Sequence, residues 1–413
     1  MSPKGNHCRS NKKAPVAAGA MADCVLPKDV MLCILTRLPV KSIHRFKSVC
    51  KSWCKRFSTT KFMKLHHVQI SENPENQAVI IYSLDGKQDH AMSLFKIESN
   101  EAKITKLDHP FPQVFYGMDF VGSCYGLLCL SYPSDGKMVS LWNPSLNLRK
   151  YLPLPNLEVR DSETGSLGFV YDSEADDFKV VRIISRKEMG VVVEVYSCNS
   201  DSWTTIELDF PFRVLGYKNS VVVNGNPYWF AMIDDSKVDN NMGLVWFDVR
   251  KMVFKVVPHS RGLDLEDGES AEALLDWKGA LAVLVCKKND ERVLSLDVWV
   301  SDDVGIWRKH HAFGPIGLKV HRFLQCSKSG KIIGECLDGK LFVVDPENGG
   351  GVKEIVIDEA QNGSFQIHRY TESLACVKGM GKEEGKTEEE IQKEEEEIDR
   401  IVDRLMIYYT GPE

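Results

Sequence analysis

Apolar side chains recur at helical spacing over residues 24–67. The first stripe consists of Val30, Ile34, Leu35 and Leu38, and the second of Ile43, Phe46, Val49 and Cys50. Pro27 is placed to begin the first helix and Pro39 to end it, because proline lacks the N–H that a helix interior requires. Trp53 and Phe57 extend the pattern into a third helix. A segment this short cannot bury its own stripes. It is predicted to be either a cap on a larger body or a module that docks a partner.

From about residue 77 to 377 the pattern changes to short, β-branched apolar runs separated by Gly, Asn, Asp and Pro, which predicts strands and turns. A unit of strand, polar turn and strand begins at residues 92, 141, 193, 244, 296 and 341. A second hairpin type with a Gly-led strand lies between these units, as in VGSCYGLLCLSY and VVVNGNPYWFAM. Four strands in about 50 residues is the period of a kelch-like propeller blade. We therefore predict a mainly β chain. A small α domain comes first and is followed by a kelch-like β-propeller of about six blades.

The same pattern leaves one alternative open, a β-sandwich or two stacked sheets. The near-constant spacing of the repeated unit favours a ring of blades. We expect the apolar run at 373–377 to close that ring by joining the first blade. The tryptophans in or beside the repeated hairpins are expected to fill the space between blades. They are Trp142, Trp203, Trp246, Trp299 and Trp307.

Charge is distributed unevenly along the 413 residues, whose formal net charge is −6. Residues 381–404 hold 11 Asp/Glu and 5 Lys/Arg and so carry the entire excess, which leaves the rest neutral. We expect residues 1–22 to be a disordered basic extension and residues 381–413 an acidic, largely helical tail. A neutral body argues against a general nucleic-acid binder. No apolar run approaches the ~18–20 residues that cross a bilayer, so we expect no membrane partner.

Motifs for catalysis or metal binding do not occur in this sequence. Residues 379–387, GMGKEEGKT, come near a phosphate-binding loop, but the spacing fails by one residue and two glutamates would repel phosphate. The adjacent pairs His66-His67 and His310-His311 are poorly placed to chelate one ion, because neighbouring strand residues face opposite ways. We predict no catalytic residue, no metal site and no cofactor.

Residues 26–66, with LP, ILTRLPVKS, VCKSW and a closing F-x-x-L-H in that order, resemble a plant-type F-box. The body resembles the F-box-associated domain of the same plant family, which includes the S-locus F-box-like and F-box/kelch-repeat groups. The matching pieces include GSCYGLLCL (122–130), WNPSLNLRKYLPLP (142–155), GFVYDSEADDFKVVRI (168–183) and YTESLACV (370–377). The chain is thus expected to consist of a three-helix F-box at 24–67 and an F-box-associated propeller at 77–377.

The resemblance implies a substrate receptor of an SCF (Skp–cullin–F-box) ubiquitin ligase, located in the cytoplasm, the nucleus or both. The F-box would dock on a Skp-type adaptor and through it on cullin, and the β domain would hold an unknown target protein. On this interpretation the chain is not an enzyme. Each residue that the family's motif places against the adaptor has a second interpretation, as part of the core of the helical segment. These residues are Leu26, Pro27, Leu38, Pro39, Val49, Cys50 and Trp53.

The target is expected to bind the longer loops of the ring, because long irregular loops on a rigid scaffold commonly carry recognition. Those loops are 156–165, 233–242 and 258–271, which we expect to share one face. Five acids in two of them would favour a basic partner: Asp234, Asp235, Asp264, Glu266 and Asp267. Two other functions stay open: a scaffold that binds the adaptor without degradation, and a propeller enzyme with titratable groups converging at the ring centre.

Overall fold

The structure of this chain is a computed structural model. It describes residues 27–381 apart from 74–75, 85–89, 97–103, 108–117, 133–137, 158–163, 187–189, 209, 211, 216–219, 234–241, 258–262, 264, 266–267, 290–291, 303–304, 350 and 356–363. The predicted basic extension and nearly all of the predicted acidic tail lie outside the described residues.

Four α-helices form what we call the helical head, residues 27–73: α1 (Lys28–Leu35), α2 (Val40–Phe46), α3 (Lys51–Phe57) and α4 (Thr60–Glu72). The sequence predicts three helices here, and α4 is the additional one. Pro27 and Pro39 are the residues before α1 and α2, so Pro39 begins a helix rather than ending one. The Thr59 hydroxyl caps α4 by accepting a hydrogen bond from the Phe62 N–H at 3.3 Å.

The remainder of the described chain is built from twenty-five strands. In chain order they are β1 (Ala78–Leu84), β2 (His90–Phe95), β3 (Ile104–Leu107), β4 (Asp119–Cys124), β5 (Leu127–Tyr132), β6 (Met138–Asn143), β7 (Leu148–Tyr151), β8 (Thr164–Asp172), β9 (Asp177–Arg186), β10 (Gly190–Ser197), β11 (Ser202–Ile206), β12 (Phe212–Val214), β13 (Val221–Val223), β14 (Asn226–Ile233), β15 (Met242–Asp248), β16 (Val253–Val257), β17 (Glu269–Trp277), β18 (Ala280–Asn289), β19 (Arg292–Ser301), β20 (Trp307–Phe313), β21 (Val320–Cys326), β22 (Ile332–Cys336), β23 (Leu341–Asp345), β24 (Gly351–Ile355) and β25 (Ser364–Tyr370).

These strands form six antiparallel sheets, which are the blades of a β-propeller, so the predicted fold class is confirmed. Blades 2, 3, 5 and 6 each use four consecutive strands, beginning with β4, β8, β17 and β21. In blade 4 the innermost strand is in two pieces, β12 and β13, which both pair with β14. The repeat is visible in the sequence because most blades are built from hairpins of consecutive strands.

The ring is closed by β25, which pairs with β1 and supplies the innermost strand of blade 1. The sequence predicts that the run at 373–377 does this, and that prediction is wrong. That run follows β25 and has no strand partner. Instead Leu374 is fully buried in the apolar cluster of the helical head. An apolar run indicates burial, but burial against helices and burial in a sheet give the same local signal.

Connections within the blades alternate between the two ends of the ring, because consecutive antiparallel strands reverse direction. The turns between first and second and between third and fourth strands lie at one end, which we call the turn face. The other connections leave from the opposite end, which we call the link face. Residues with positive φ recur in the tight turns of the turn face, as at Asn147, Asp201 and the pair Asn224-Gly225.

The core of the ring consists of six apolar clusters, one between each pair of neighbouring blades. This arrangement requires radial packing and excludes the sandwich alternative. Trp142, Trp203 and Trp307 are buried in these clusters. Trp246 and Trp299 are partly buried, and their rings are covered by Lys255 and Lys309 at 4.6 and 5.2 Å.

Candidate functional site

Exposed apolar side chains are concentrated on the helical head. Ten large apolar residues are exposed among those the structure describes, and half of them lie in this small part of the chain. Val30 and Ile34 share one side of α1, and Leu65 and Val68 lie together on α4. Val49, in the connection from α2 to α3, is 66% exposed. Such a concentration of exposed apolar side chains indicates a site for another protein.

The residues predicted to face an adaptor divide into two groups. Pro27, Pro39, Val49 and Cys50 are exposed. Leu38 and Trp53 are half-buried and pack against the apolar cluster of the head. Leu26 lies outside the described residues. The first group is accessible at the surface, and the half-buried pair belongs to the packing of the head.

Trp53 is held between two phenylalanines of the head. Its ring lies 5.5 Å from that of Phe46 and 5.5 Å from that of Phe57, edge to face in both cases. Phe57 is fully buried. Trp53 thus links α2 and α3 as a core residue, while its remaining exposed part is free for a contact.

The helical head is packed against the turn face of the propeller. Leu146, from the β6–β7 turn, and Leu374 complete its apolar cluster. Lys64 forms an ion pair of 3.2 Å with Asp176 in the β8–β9 turn. Lys328, in the β21–β22 turn, donates to the carbonyl oxygen of Ser71 at 3.4 Å. The head is therefore fixed to three blades, and the link face is left on the other side of the ring.

A cavity of about 240 Å³ lies between α4 and the turns of blades 2 and 3. Its wall includes Met63, Lys64, Tyr171, Asn199 and Cys198. Burial raises the pKa of the Cys198 thiol to about 12, and nearby Asp177 adds to the shift. That thiol is protonated at neutral pH and is not an activated nucleophile. The cavity has mixed polar and apolar walls.

The centre of the ring is a larger channel of about 540 Å³, lined by the innermost strands. Titratable groups converge there, and several form hydrogen bonds with other residues of the lining. Arg369 donates to a carboxylate oxygen of Asp276 at 2.7 Å. Gln366 donates to Asp119 at 2.6 Å and accepts from the N–H of Phe120 at the same distance. The first bond joins blade 1 to blade 5 across the channel, and the bonds of Gln366 join blade 1 to blade 2, so the polar lining stabilises the ring.

The lining of the channel also includes His368. Burial lowers the pKa of its imidazole to about 4, so it is neutral at pH 7. Its ring stacks on Phe120 with the centroids 5.3 Å apart. The stacked, buried ring is part of the packing between blades 1 and 2.

The five predicted target-binding acids Asp234, Asp235, Asp264, Glu266 and Asp267 lie outside the described residues. The strands that flank their loops are described. The connection from β14 to β15 and the link from β16 to β17 both leave from the link face, as does the link from β7 to β8. The three loops chosen from the sequence thus start and end at one face, opposite the helical head.

Among the residues that the structure describes, no helix is long and apolar enough to span a bilayer. Within the same residues, no group of three or more His, Cys, Asp or Glu side chains is arranged to hold a metal ion.

Family models match both parts of the chain. The F-box domain model matches residues 24–65, and the model described as F-box associated beta propeller domain matches residues 78–343. The chain belongs to the F-box protein family with an F-box-associated propeller. Its helical head is the F-box, and its ring of blades is the associated domain.

Curated relatives of this F-box protein come from Arabidopsis thaliana. An F-box/kelch-repeat protein is 30% identical over 292 residues, which are 68% of this chain and 76% of the relative. Another F-box protein is 25% identical over 372 residues, which are 78% of this chain and 86% of the relative. The similarity therefore extends over most of both chains, and the plant F-box resemblance inferred from the sequence is confirmed.

The F-box is strongly basic, a feature that the net charge of the whole body does not reveal. Residues 27–73 contain ten Lys and Arg but two Asp and Glu. The net charge of the chain outside residues 381–404 sums to zero, so this sum does not reveal the basic segment. Counting charge by segment instead of over the whole body gives the signal directly.

Proposed function

We propose that this F-box protein is the substrate-recognition subunit of an SCF ubiquitin ligase. Its F-box docks on a Skp-type adaptor and through it on cullin, and its propeller binds the protein that is to be ubiquitinated and degraded. The chain itself catalyses nothing and acts by raising the effective concentration of the target near the ubiquitin-charged enzyme. This assignment places it in the cytoplasm, the nucleus or both.

The observation that carries the proposal is the separation of two surfaces by the ring of blades. Exposed apolar residues are concentrated on the F-box, and the F-box is packed on the turn face. The link face, where the longer loops start and end, lies on the opposite side of the ring. Two partners can then be bound at the same time, at a distance set by the propeller.

The proposed adaptor contacts are Pro27, Pro39, Val49 and Cys50, which are exposed, together with Leu26. Leu38 and Trp53 support them from the core of the F-box. The proposed target contacts are the acids Asp234, Asp235, Asp264, Glu266 and Asp267 on the link-face loops. The division into an F-box at 24–67 and a propeller domain at 77–377 stays a prediction, and α4 runs on to Glu72.

The proposal is tested with the full chain, because Leu146 and Leu374 complete the core of the F-box. Affinity purification under proteasome inhibition identifies the target, and ubiquitination is then reconstituted with adaptor, cullin and charged enzyme. Val49→Asp should abolish target ubiquitination. Val352→Asp is the matched control, because Val352 is 37% exposed on β24, outside both the F-box and the link-face loops.

A second readout separates a receptor from a scaffold. The half-life of the captured protein should lengthen when this F-box protein is removed and when Val49→Asp replaces it. An unchanged half-life with intact adaptor binding would favour the scaffold. Chemical conversion of a small molecule in the ring channel, without adaptor binding, would favour the enzyme alternative.

A further inference from the structure

The exposed surface of α2 and α3 carries a dense positive charge. It is formed by Lys41, Arg45, Lys47, Lys51, Lys55 and Arg56, which we call the basic surface. None of these six side chains forms an ion pair with a residue that the structure describes. Five of the six are exposed, and Lys47 is half-buried. The surface is therefore available to an anionic partner.

Basic side chains on each of these two helices lie close enough to repel one another. Lys41 and Arg45 are four residues apart on α2, and Lys51 and Lys55 are four residues apart on α3, so like charges lie one turn apart. In the last turn of each helix the dipole favours the basic residues, so the like-charge repulsion within each pair is what an acidic chain across the surface would relieve.

The acidic tail of this chain is the occupant with matching charge. Residues 382–404 contain 11 Asp/Glu against 5 Lys/Arg, including the run Glu394–Glu397. The described chain ends at Gly381, which exchanges hydrogen bonds of 3.0 and 3.1 Å with Arg149 on β7. Only seven residues earlier, Leu374 is buried in the F-box core. The tail thus starts beside the F-box.

The length of the tail is sufficient for it to reach the basic surface. The thiol of Cys376 is already close enough to Lys47 for that charge to lower its pKa, against the larger rise caused by burial. From Gly381 to Glu394 there are thirteen residues, which extend to about 45 Å at most. A seven-residue helix such as α3 is about 10 Å long, so the tail can cover both helices.

We propose that residues 382–404 bind the basic surface of α2 and α3 within the same chain. The connection between these helices contains Val49 and Cys50. Tail and adaptor then compete for one region of the F-box. This competition rests on the proposed function, whereas the binding of the tail does not.

The binding is tested with a chain that ends at Gly381 and a fluorescent peptide of residues 382–404. We expect the peptide to bind the shortened chain at about 50 mM salt, and more than tenfold more weakly at about 300 mM salt, because the Debye length falls. The variant Arg45→Glu, Lys51→Glu, Lys55→Glu should lose this binding. The control Lys96→Glu, Arg213→Glu, Lys353→Glu reverses three exposed charges on the propeller and should bind as before.

Equal binding to both triple variants, or no binding at low salt, overturns the proposal. The proposal is also overturned if the shortened chain binds anionic vesicles or duplex DNA but not the peptide, because the surface would then have another occupant. The full chain should bind the added peptide at least several-fold more weakly than the shortened chain, since its own tail competes.

The competition has its own measurement. The shortened chain should bind the Skp-type adaptor several-fold more tightly than the full chain, and the difference should vanish when the tail glutamates are changed to glutamine. Equal affinities overturn the competition but not the binding of the tail. Failure of both chains to bind adaptor overturns the proposed function, and the peptide result then stands by itself.

Discussion

His67 on α4 packs against Tyr125 in the β4–β5 turn, with the ring centroids 5.0 Å apart. The contact joins the F-box to blade 2. Burial lowers the pKa of His67 to about 4, with further lowering by the charges of Lys328 and His66. The folded state therefore holds a neutral imidazole where an unfolded chain takes up a proton near pH 6.5.

This difference predicts the direction of the pH dependence. The stability that depends on neutral His67 is complete above pH 6.5 and is lost as the pH falls towards 4, because the unfolded chain then binds more protons. The free energy of unfolding, measured with urea, should be lower at pH 5 than at pH 7. His67→Gln should make this difference smaller by up to about 1.4 kcal/mol per pH unit. His321→Gln, at an exposed position, is the control. An identical pH dependence in both variants would contradict the assignment.

Arg182 and Glu194 form a fully buried ion pair at 2.7 Å between β9 and β10. The other carboxylate oxygen of Glu194 accepts from the N–H groups of Asn156 and Leu157, so the pair also holds the start of a link-face loop. Removing one partner leaves an uncompensated buried charge. Glu194→Gln should lower the free energy of unfolding by about 3–5 kcal/mol.

A double-mutant cycle is the check on that pair. Arg182→Met with Glu194→Leu should cost less than the two single changes added together, because neither charge is then left alone. Additive losses in urea unfolding would show that the pair is not coupled.

Gly126 has a φ of +73° and lies beneath the segment that follows β25. A Cβ there would meet the side chain of Ser373 and lie 2.5 Å from the carbonyl oxygen of Thr371. Gly126→Ala should therefore displace this segment from the F-box and cost about 1–3 kcal/mol more than backbone strain alone. Gly279→Ala is the matched control, since its φ is +92° and nothing lies within 4 Å of the added Cβ. Equal melting temperatures for the two variants would contradict the packing.

The propeller was predictable because its information is local. The repeated hairpins of the sequence correspond to the third and fourth strands of the blades, such as β6 with β7 and β10 with β11. Turn residues such as Asn224-Gly225 mark the positions where the chain reverses. A repeat of about 50 residues is the length of one four-stranded blade, and several such blades in succession indicate a ring.

Long-range placement was not predictable in the same way. Residues 373–377 have the composition of a strand, yet Leu374 packs among helices more than 300 residues earlier in the chain. The motif also gave no means to separate Val49, which is exposed, from Trp53, which is half-buried between two phenylalanines. Such distinctions depend on which surfaces meet in three dimensions, and a single sequence carries no direct signal for that.

The affinity of the full chain for a Skp-type adaptor tests the central claim most directly. Val49→Asp places a charge on an exposed apolar site of the F-box, and Val352→Asp does the same on the propeller. We predict that Val49→Asp weakens adaptor binding by at least about 2 kcal/mol, or roughly 30-fold, while Val352→Asp leaves it unchanged. Equal affinity of the two variants and the unaltered chain would contradict adaptor docking through this surface.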